Sequence, residues 1–369
     1  MVYRVPFVNY PLQYKNLEKE IDGALKDVLN RGDLILRSDV EAFEKRLADF
    51  LGLKYAVGVN SGTDALIFAL RAAGIEPGDE VITVSHTFVA SIAAIVHVGA
   101  KPVLVDVRED FNIDVDKIEG AITEKTKAIL PVHLNGRVCE MSRLMETAQK
   151  HNLIVIEDAA QALGAKFEGK MAGVFGLASC YSFYPAKLLG TVGDGGAVAT
   201  NSEEVAEKVR LYRNHGQKTK TEIVCYGETS RLHNIQAAIL NVKFKYLPEW
   251  IERKREIAKI YDQGLAGLSG LELPPAPDSD PKYFDTFQNY VLKAQKRDEL
   301  AEFLKEKGVE PLIKDPVACH QHPALGLSHF QLLYTEQLAK EVISLPIYPE
   351  LTKEQVDYVI ACLKEFYPV

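Results

Sequence analysis

Lys187 stands between an aromatic run and a glycine cluster in "SFYPAKLLGTVGDGGA" (182–197). A lysine amine that is partly desolvated in a pocket is a nucleophile able to form a Schiff base. Most lysines are solvated surface groups instead, so residue type alone decides nothing. Three other stretches carry the groups such an amine would work with. In "VGVNSGTDAL" (57–66) a strand-like run passes through Asn60-Ser61-Gly62-Thr63 into a helix-like one. The N–H groups at that helix start, the small Gly62 and the Thr63 hydroxyl could cup a phosphate; alternatively Ser61 or Thr63 simply caps the helix. "IVIEDAAQALGA" (154–165) ends an apolar run in Glu157 and Asp158. A carboxylate buried there needs a cation, for which a protonated ring nitrogen would serve, or else Asp158 caps the next helix. "SHTFVAS" (85–91) sets Phe88 after a further strand-like run, either as core or as a platform for a flat ring.

Several other chemistries are disfavoured by spacing. The Walker pattern G-x-x-x-x-G-K-[ST] is absent, and "GTVGDGGA" (190–197) lacks G-x-G-x-x-G and runs into a strand-like "AVAT" rather than a helix. Its glycines read as room for backbone to pass close to a ligand. His133 in "PVHLNG" and His215 in "RNHG" read as hydrogen-bonded structural histidines, and without H-x-x-x-H or H-E-x-x-H no metal site is expected. The five cysteines, Cys139, Cys180, Cys225, Cys319 and Cys362, form no C-x-x-C pair and read as reduced thiols.

The elements that must position these groups alternate. Helix-like "DVEAFEKRLADFLG" (39–52) and "TDALIFALRAAG" (63–74) interleave with strand-like "YAVGV" (55–59), "EVITV" (80–84), "KPVLVDV" (101–107), "AILPVHL" (128–134), "LIVIEDA" (153–159) and "SCYSFY" (179–184). Such alternation predicts an α/β layer structure on a largely parallel sheet. In such a sheet, ligands collect at the carboxyl ends of the strands, where the four candidate stretches lie. Helical pattern then fills 231–266, and "LELPPAPDSDPKYF" (271–284) breaks it. The rest, with "YVLKA" (290–294), "RDELAEFLKEKG" (297–308) and "TKEQVDYVIACLKEFY" (352–367), reads as a smaller α+β unit. We expect a large domain over 1–250, opening with an N-terminal helical segment, and a small C-terminal domain over 251–369.

With 369 residues, 47% of them hydrophobic, the chain can bury a full core and divide into two domains. A formal net charge of -8 argues against a nucleic-acid or membrane-surface binder. The N-terminal "MVYRVPFVNYPLQYKNLEKE" has proline and charges where a signal peptide has an apolar core, and no apolar run approaches membrane-spanning length. A cytoplasmic location is expected.

Phosphate cup, stacking aromatic, carboxylate and lysine together are what pyridoxal 5'-phosphate (PLP) requires. "NSGTDAL", "SHTFVAS", "EDAAQALGA", "SFYPAK" and "GDGGA" resemble the DegT/DnrJ/EryC1/StrS family of nucleotide-sugar aminotransferases, within fold-type-I PLP-dependent transferases. The likeness continues through "VPFVNYPLQY" (5–14), "VHLNG" (132–136), "RNHG" (213–216) and "SLPIYPELT" (344–352), essentially the whole chain. The resemblance implies a large α/β domain with a mostly parallel central sheet and a small C-terminal α+β domain. It implies Lys187 as the lysine that holds PLP and later shuttles the proton, with Asp158 on the pyridinium nitrogen. Gln161 would reach the ring hydroxyl, Phe88 would cover the ring face, and Gly62, Thr63 and Ser182 would bind the phosphate. It further implies L-glutamate as amino donor, pyridoxamine 5'-phosphate as the intermediate form of the cofactor, a keto-sugar nucleotide as acceptor, and a homodimer with shared active sites.

Tyr184, His320 in "DPVACHQHPAL" (315–325) and Arg37 in "DLILR" (33–37) are the candidate substrate contacts. Arg37 replaces a usual glycine, Leu188 a common asparagine, and Thr229 in "GETSRLHNIQAA" (227–238) an asparagine that reaches a neighbouring subunit's phosphate. "GDGG" (193–196) resembles members that aminate C3 of the sugar more than those that aminate C4. Sugar dehydratases on this fold replace the lysine by histidine, and Lys187 is present. A non-catalytic PLP- or sugar-nucleotide-binding sensor predicts decay of the cofactor residues, yet Asp158 and Lys187 are intact. A nicotinamide-dependent oxidoreductase lacks its fingerprint here.

Overall fold

The valine- and isoleucine-rich runs form the strands β1 (Tyr55–Val59), β2 (Glu80–Val84), β3 (Lys101–Val105), β4 (Thr126–Ile129), β5 (Ile154–Asp158), β6 (Ala178–Ser182) and β7 (Gly196–Thr200). In the computed structural model, which describes residues 3–367, they lie in the order β1-β7-β6-β5-β4-β2-β3. All neighbours pair parallel except β7, which runs against both β1 and β6. The sheet is therefore mostly parallel, as expected. The carboxyl ends of six strands share one edge, and Gly196, which opens β7, pairs there with both Val59 and Ser182.

Two expected strands end early for local reasons. In the run 128–134 the regular strand stops at Ile129, because Pro131 has no N–H to donate, and pairing with β5 resumes at Val132 opposite Asp158. The run 179–184 stops at Ser182: the Phe183 N–H turns to the Gly195 carbonyl at 2.7 Å, so Lys187 sits in a loop beyond the strand.

Helices cover the sheet: α1 (Tyr10–Arg31), α2 (Ser38–Leu51), α3 (Gly62–Ala72), α4 (Ala90–His97), α5 (Met141–Lys150), α6 (Glu203–Tyr212) and α7 (Asn234–Lys243). Helices α1 and α2 stop at Gly32 and Gly52, which adopt φ 67° and 70°, the left-handed turn that glycine takes without penalty. The long α8 (Leu247–Leu265) follows, then strands β8 (Tyr290–Ala294) and β9 (Val342–Leu345), which pair antiparallel, with Leu271–Glu272 on the free edge of β8. Helices α9 (Arg297–Glu306), α10 (Leu333–Glu341) and α11 (Lys353–Phe366) complete this unit.

Two main cores result. Leu247, Trp250 and Ile251 at the start of α8 pack with the large sheet, whereas Ile257, Ala258, Tyr261 and Leu265 further along it pack with β8, β9 and α11. The boundary expected at 250/251 thus falls inside one continuous helix that serves both cores. Val5, at the other end of the chain, belongs to the small core.

Candidate active site

The start of α3 is built by Ser61. Its hydroxyl accepts the N–H of Asp64 at 3.1 Å, so the simple capping alternative is realised at this residue. Capping leaves the N–H groups of Gly62 and Thr63, which have no partner within the helix, pointing out of its positive end. Ser182, at the end of β6, comes so close that a Cβ on Gly62 would stand 2.8 Å from the Ser182 Cβ. Gly196 crosses below: a Cβ there would overlap the Ser61 carbonyl. Gly196 is therefore required first by this backbone crossing, and only through it by any ligand, whereas Gly190 is required by the Pro185 carbonyl of its own loop. Behind the helix start, the Ser230 hydroxyl donates to Asp64 at 2.7 Å and accepts the Asn60 N–H at 3.2 Å.

At the end of β5 two adjacent carboxylates meet opposite fates, because successive side chains leave a strand on opposite faces. Glu157 is fully buried and saturated: the N–H groups of Gly173, Phe175 and Gly176 donate to it at 2.7–2.8 Å, and His133 Nε2 at 2.9 Å. The other nitrogen of His133 accepts the Cys139 N–H at 3.1 Å, which makes His133 the structural histidine expected. Asp158, only 5% exposed, accepts the Ser91 hydroxyl at 2.7 Å and the Ala160 N–H at 3.2 Å. Among the described residues it forms no salt bridge, although the Lys187 and Lys314 amines lie close enough to feel it, so its carboxylate is open to a direct bond from a ligand cation.

Lys187 approaches from the β6–β7 loop, where its N–H donates to the Tyr184 carbonyl at 2.8 Å. Its ammonium lies deep among protein atoms while the side chain keeps an opening to solvent. Burial, followed by the nearby Lys314 ammonium, pushes its pKa down to about 7, against the opposing pull of Asp158. An amine so placed has a substantial neutral fraction, about half, near pH 7, and the neutral form is the one that attacks carbonyl carbon or takes a proton.

Gln161, also buried, accepts the Asn135 N–H at 2.9 Å and the Asn289 amide at 3.3 Å on its Oε1, leaving its Nε2 hydrogens to donate. Phe88 is 54% exposed, which removes its core reading; Lys314 Nζ sits 5.6 Å from its ring centroid. Tyr184 is exposed beside the lysine loop, with its N–H near Ser182 Oγ at 3.4 Å.

Two expected substrate residues fare differently. His320 is only 1% exposed, and both its ring nitrogens are occupied. The Ser85 hydroxyl accepts the His320 backbone N–H at 3.0 Å and so gives its own hydrogen to Nδ1 at 2.8 Å; Nε2–H then donates to Glu336 at 3.1 Å. His320 is thus a buried tie between the end of β2 and α10, with nothing free to offer a sugar. Arg37 lies exposed before α2, its Nε 3.9 Å from Asp33. No contact ties it to the lysine or to Asp158. Thr229, for its part, is hydrogen-bonded to His215 Nε2 at 2.9 Å.

Sequence reasoning missed Ser91, Lys314, Asn135 and Asn289. Ser91 had a signal, since it closes the same "SHTFVAS" that contains Phe88. Asn135 likewise stands in "VHLNG" (132–136), whereas Lys314 and Asn289 belong to no quoted motif and come to the site only in space.

The sequence matches the DegT/DnrJ/EryC1/StrS aminotransferase family over residues 15–364. It is 44% identical over 367 residues to a pleiotropic regulatory protein of Geobacillus stearothermophilus, with 98% of each chain covered. It is 42% identical over 368 residues to a dTDP-3-amino-3,4,6-trideoxy-alpha-D-glucose transaminase of Streptomyces venezuelae, covering 98% of this chain and 96% of the relative. Among solved structures, S. venezuelae DesV in complex with a ketimine intermediate superposes with a TM-score of 0.96 at 40% identity, over 100% of this chain and 99% of the other.

Proposed function

The chain belongs to the DegT/DnrJ/EryC1/StrS aminotransferase family, a family of PLP-dependent enzymes of fold type I, and from that premise we propose that it moves an amino group from L-glutamate to C3 of a dTDP- or UDP-linked ketohexose. The observation that carries this reading is the convergence of Lys187, Asp158 and the start of α3 on one sheet edge. The C3 position draws support from the "GDGG" resemblance and from the S. venezuelae relative, whose name places its amine at C3.

PLP carries a phosphate, a basic ring nitrogen and an aldehyde. The residues present fit each: the helix start with its close-packed Gly62, the buried Asp158 with its carboxylate open to a ligand cation, and the amine of Lys187. When bound, PLP supplies an electron sink for breaking the bonds at the amine-bearing carbon. In this assignment Gly62, Thr63 and Ser182 hold the phosphate, and Asp158 keeps the ring nitrogen protonated. Gln161 donates to the ring hydroxyl, and Phe88 covers the ring face. Ser91 orients the Asp158 carboxylate through its 2.7 Å hydrogen bond. Lys187 would take the proton from the donor's carbon as its neutral amine and pass it to the cofactor within the same half-reaction, and in the second half would carry a proton the opposite way, to the sugar carbon.

Exposed Ile223, Val224 and Tyr226, the last 94% exposed, support a second copy of this chain as partner, in a homodimer. The five cysteines are free thiols, which suits a cytoplasmic enzyme. Among the described residues, no helix is long and apolar enough to cross a membrane.

The test is an absorbance spectrum of the PLP-loaded protein beside Lys187→Ala, then excess L-glutamate, then 3-keto and 4-keto dTDP- and UDP-sugars with product analysis. A visible band that requires Lys187 and is bleached by glutamate is expected, followed by amination at C3. A band indifferent to loss of Lys187 would sink the mechanism, and amination at C4 would sink the regiochemistry. The regulatory name of the Geobacillus relative favours a second reading, a sensor that binds the same ligands. It predicts PLP binding without turnover in this experiment.

A further inference from the structure

Lys187 sits in a loop, yet the peptide units on both sides of it are gripped by one side chain. Gln288 lies just before β8, between the small-core residues Phe287 and Tyr290, and reaches back to the β6–β7 loop. Its Oε1 accepts the N–H of Leu188 at 2.8 Å, and its Nε2 donates to the carbonyl of Ala186 at 2.9 Å. A primary amide presents acceptor and donor side by side, so it can pair with the two backbone groups flanking Lys187 much as a neighbouring strand does. Gln288 is only 7% exposed, which shields both bonds from water. Its own carbonyl is held by Lys254 Nζ of α8 at 2.9 Å. Further along the same loop, Lys243 Nζ of α7 donates to the Gly190 carbonyl at 2.7 Å and to Gln13 at 2.8 Å. The backbone around Lys187 is thus braced, while its amine makes no hydrogen bond among the described residues.

We propose that Gln288 is a positioning residue for the amino transfer: reaching from the small-domain side, it clamps the peptide units on either side of Lys187 and so delivers the amine to the cleft in one orientation. The proposal rests on the aminotransferase reading above. Two consequences separate a clamp from a mere brace. Misplacing the amine slows the proton transfer without weakening substrate binding, because Gln288 touches the loop and not the substrate. Since burial is the main cause that lowers the Lys187 pKa to about 7, loosening the loop admits water and lets it rise.

The variants are Gln288→Ala and Gln288→Glu. The second preserves size and the acceptor for Leu188 but loses the donor to Ala186, and it carries the test should the alanine variant fold poorly. The first readout is kcat and KM of the PLP-loaded enzyme across pH. The second is the pH midpoint for acetylation of Lys187 by acetic anhydride in the cofactor-free full-length chain, measured by mass spectrometry on the Lys187 peptide. We expect Gln288→Ala to lower kcat about 10- to 100-fold with KM within about threefold. In Gln288→Ala the acetylation midpoint should rise by about one pH unit; in Gln288→Glu the new carboxylate adds its own upward pull, so that variant is read by kcat, expected between wild type and Gln288→Ala. A variant that loses only thermal stability, with midpoint and kcat both unmoved, overturns the proposal. Should the wild type aminate no keto-sugar, the functional reading fails, and the acetylation midpoint still decides whether Gln288 sets the state of Lys187.

Discussion

Gly62→Ala tests the phosphate cup with a single methyl group. The added Cβ would stand 2.8 Å from Ser182 Cβ, 3.3 Å from its Cα and 3.4 Å from its Oγ. Non-bonded carbons settle at about 3.5–4.0 Å, so the two segments must part by roughly 0.7 Å or more. Ser182 cannot yield easily, since the atoms met first are anchored to backbone and β6 is laddered to β5 and β7 on its two edges. The start of α3 must move instead, and with it the N–H groups of Gly62 and Thr63. Gly62 is not among the glycines with positive φ, so alanine adds no backbone strain and the overlap is the whole perturbation. Overpacking of this kind costs about 1–3 kcal/mol. If it falls on the phosphate site, PLP affinity drops about 5- to 150-fold at 1.4 kcal/mol per tenfold. Equilibrium dialysis against PLP, read by absorbance, measures this directly. In a Ser182→Gly background the overlapped Cβ is gone, so adding Gly62→Ala there should cost far less. An affinity unchanged within about twofold in the single variant, with its thermal midpoint also unmoved, would refute the placement of the phosphate at this helix start.

Two further predictions concern the charges around Lys187. Asp158→Asn keeps size and the acceptor for the Ala160 N–H, while the Ser91 hydroxyl must turn to accept from the new amide N–H, so thermal stability should fall only modestly; loss of the charge-assisted bond to the ring nitrogen, about 1.5–3 kcal/mol, should slow the glutamate half-reaction at least about tenfold. Stopped-flow absorbance reads that rate, and a wild-type rate would remove Asp158 from the mechanism. Lys314→Met deletes the like charge that helps to depress Lys187, so the acetylation midpoint of Lys187 in the cofactor-free chain should move up from about 7 toward the ordinary 10.5. The sign carries over to stability. A lysine that binds its proton less tightly folded than unfolded stabilises the fold progressively as pH rises from about 7 toward 10.5, and Lys314→Met should flatten that contribution in chemical-denaturation midpoints. A Lys187 midpoint that stays put or falls would show that the two ammonium groups do not sense one another.

Much of this molecule was legible because its signals are local. Alternating helical and β-branched runs produced the strands nearly where they were expected, and a polar residue following an apolar run marked the functional sheet edge. Ser61, Gly62, Asp158 and Lys187 were identifiable because each stands at the end of such a run. Ambiguity persisted where one residue type serves two purposes. Ser61 does cap its helix, and the same cap exposes the N–H groups of Gly62 and Thr63; Asp158 does hold a turn through Ala160, and the same carboxylate remains without a salt-bridge partner.

The sequence by itself determined the chemical inventory and the order of elements, since side-chain chemistry and hydrophobic period are properties of neighbouring residues. Tertiary structure alone decided which groups are free to act. Phe88 is exposed whereas His320 is sealed away, because a residue 235 positions distant, Ser85, takes one of the His320 nitrogens. Glu157 is spent on backbone while its neighbour Asp158 is kept for the cleft. The Lys187 loop takes its shape from Gln288, about 100 positions further on. Burial and hydrogen-bond partnership depend on which strands and domains adjoin, and no pattern in a short window of residues encodes that.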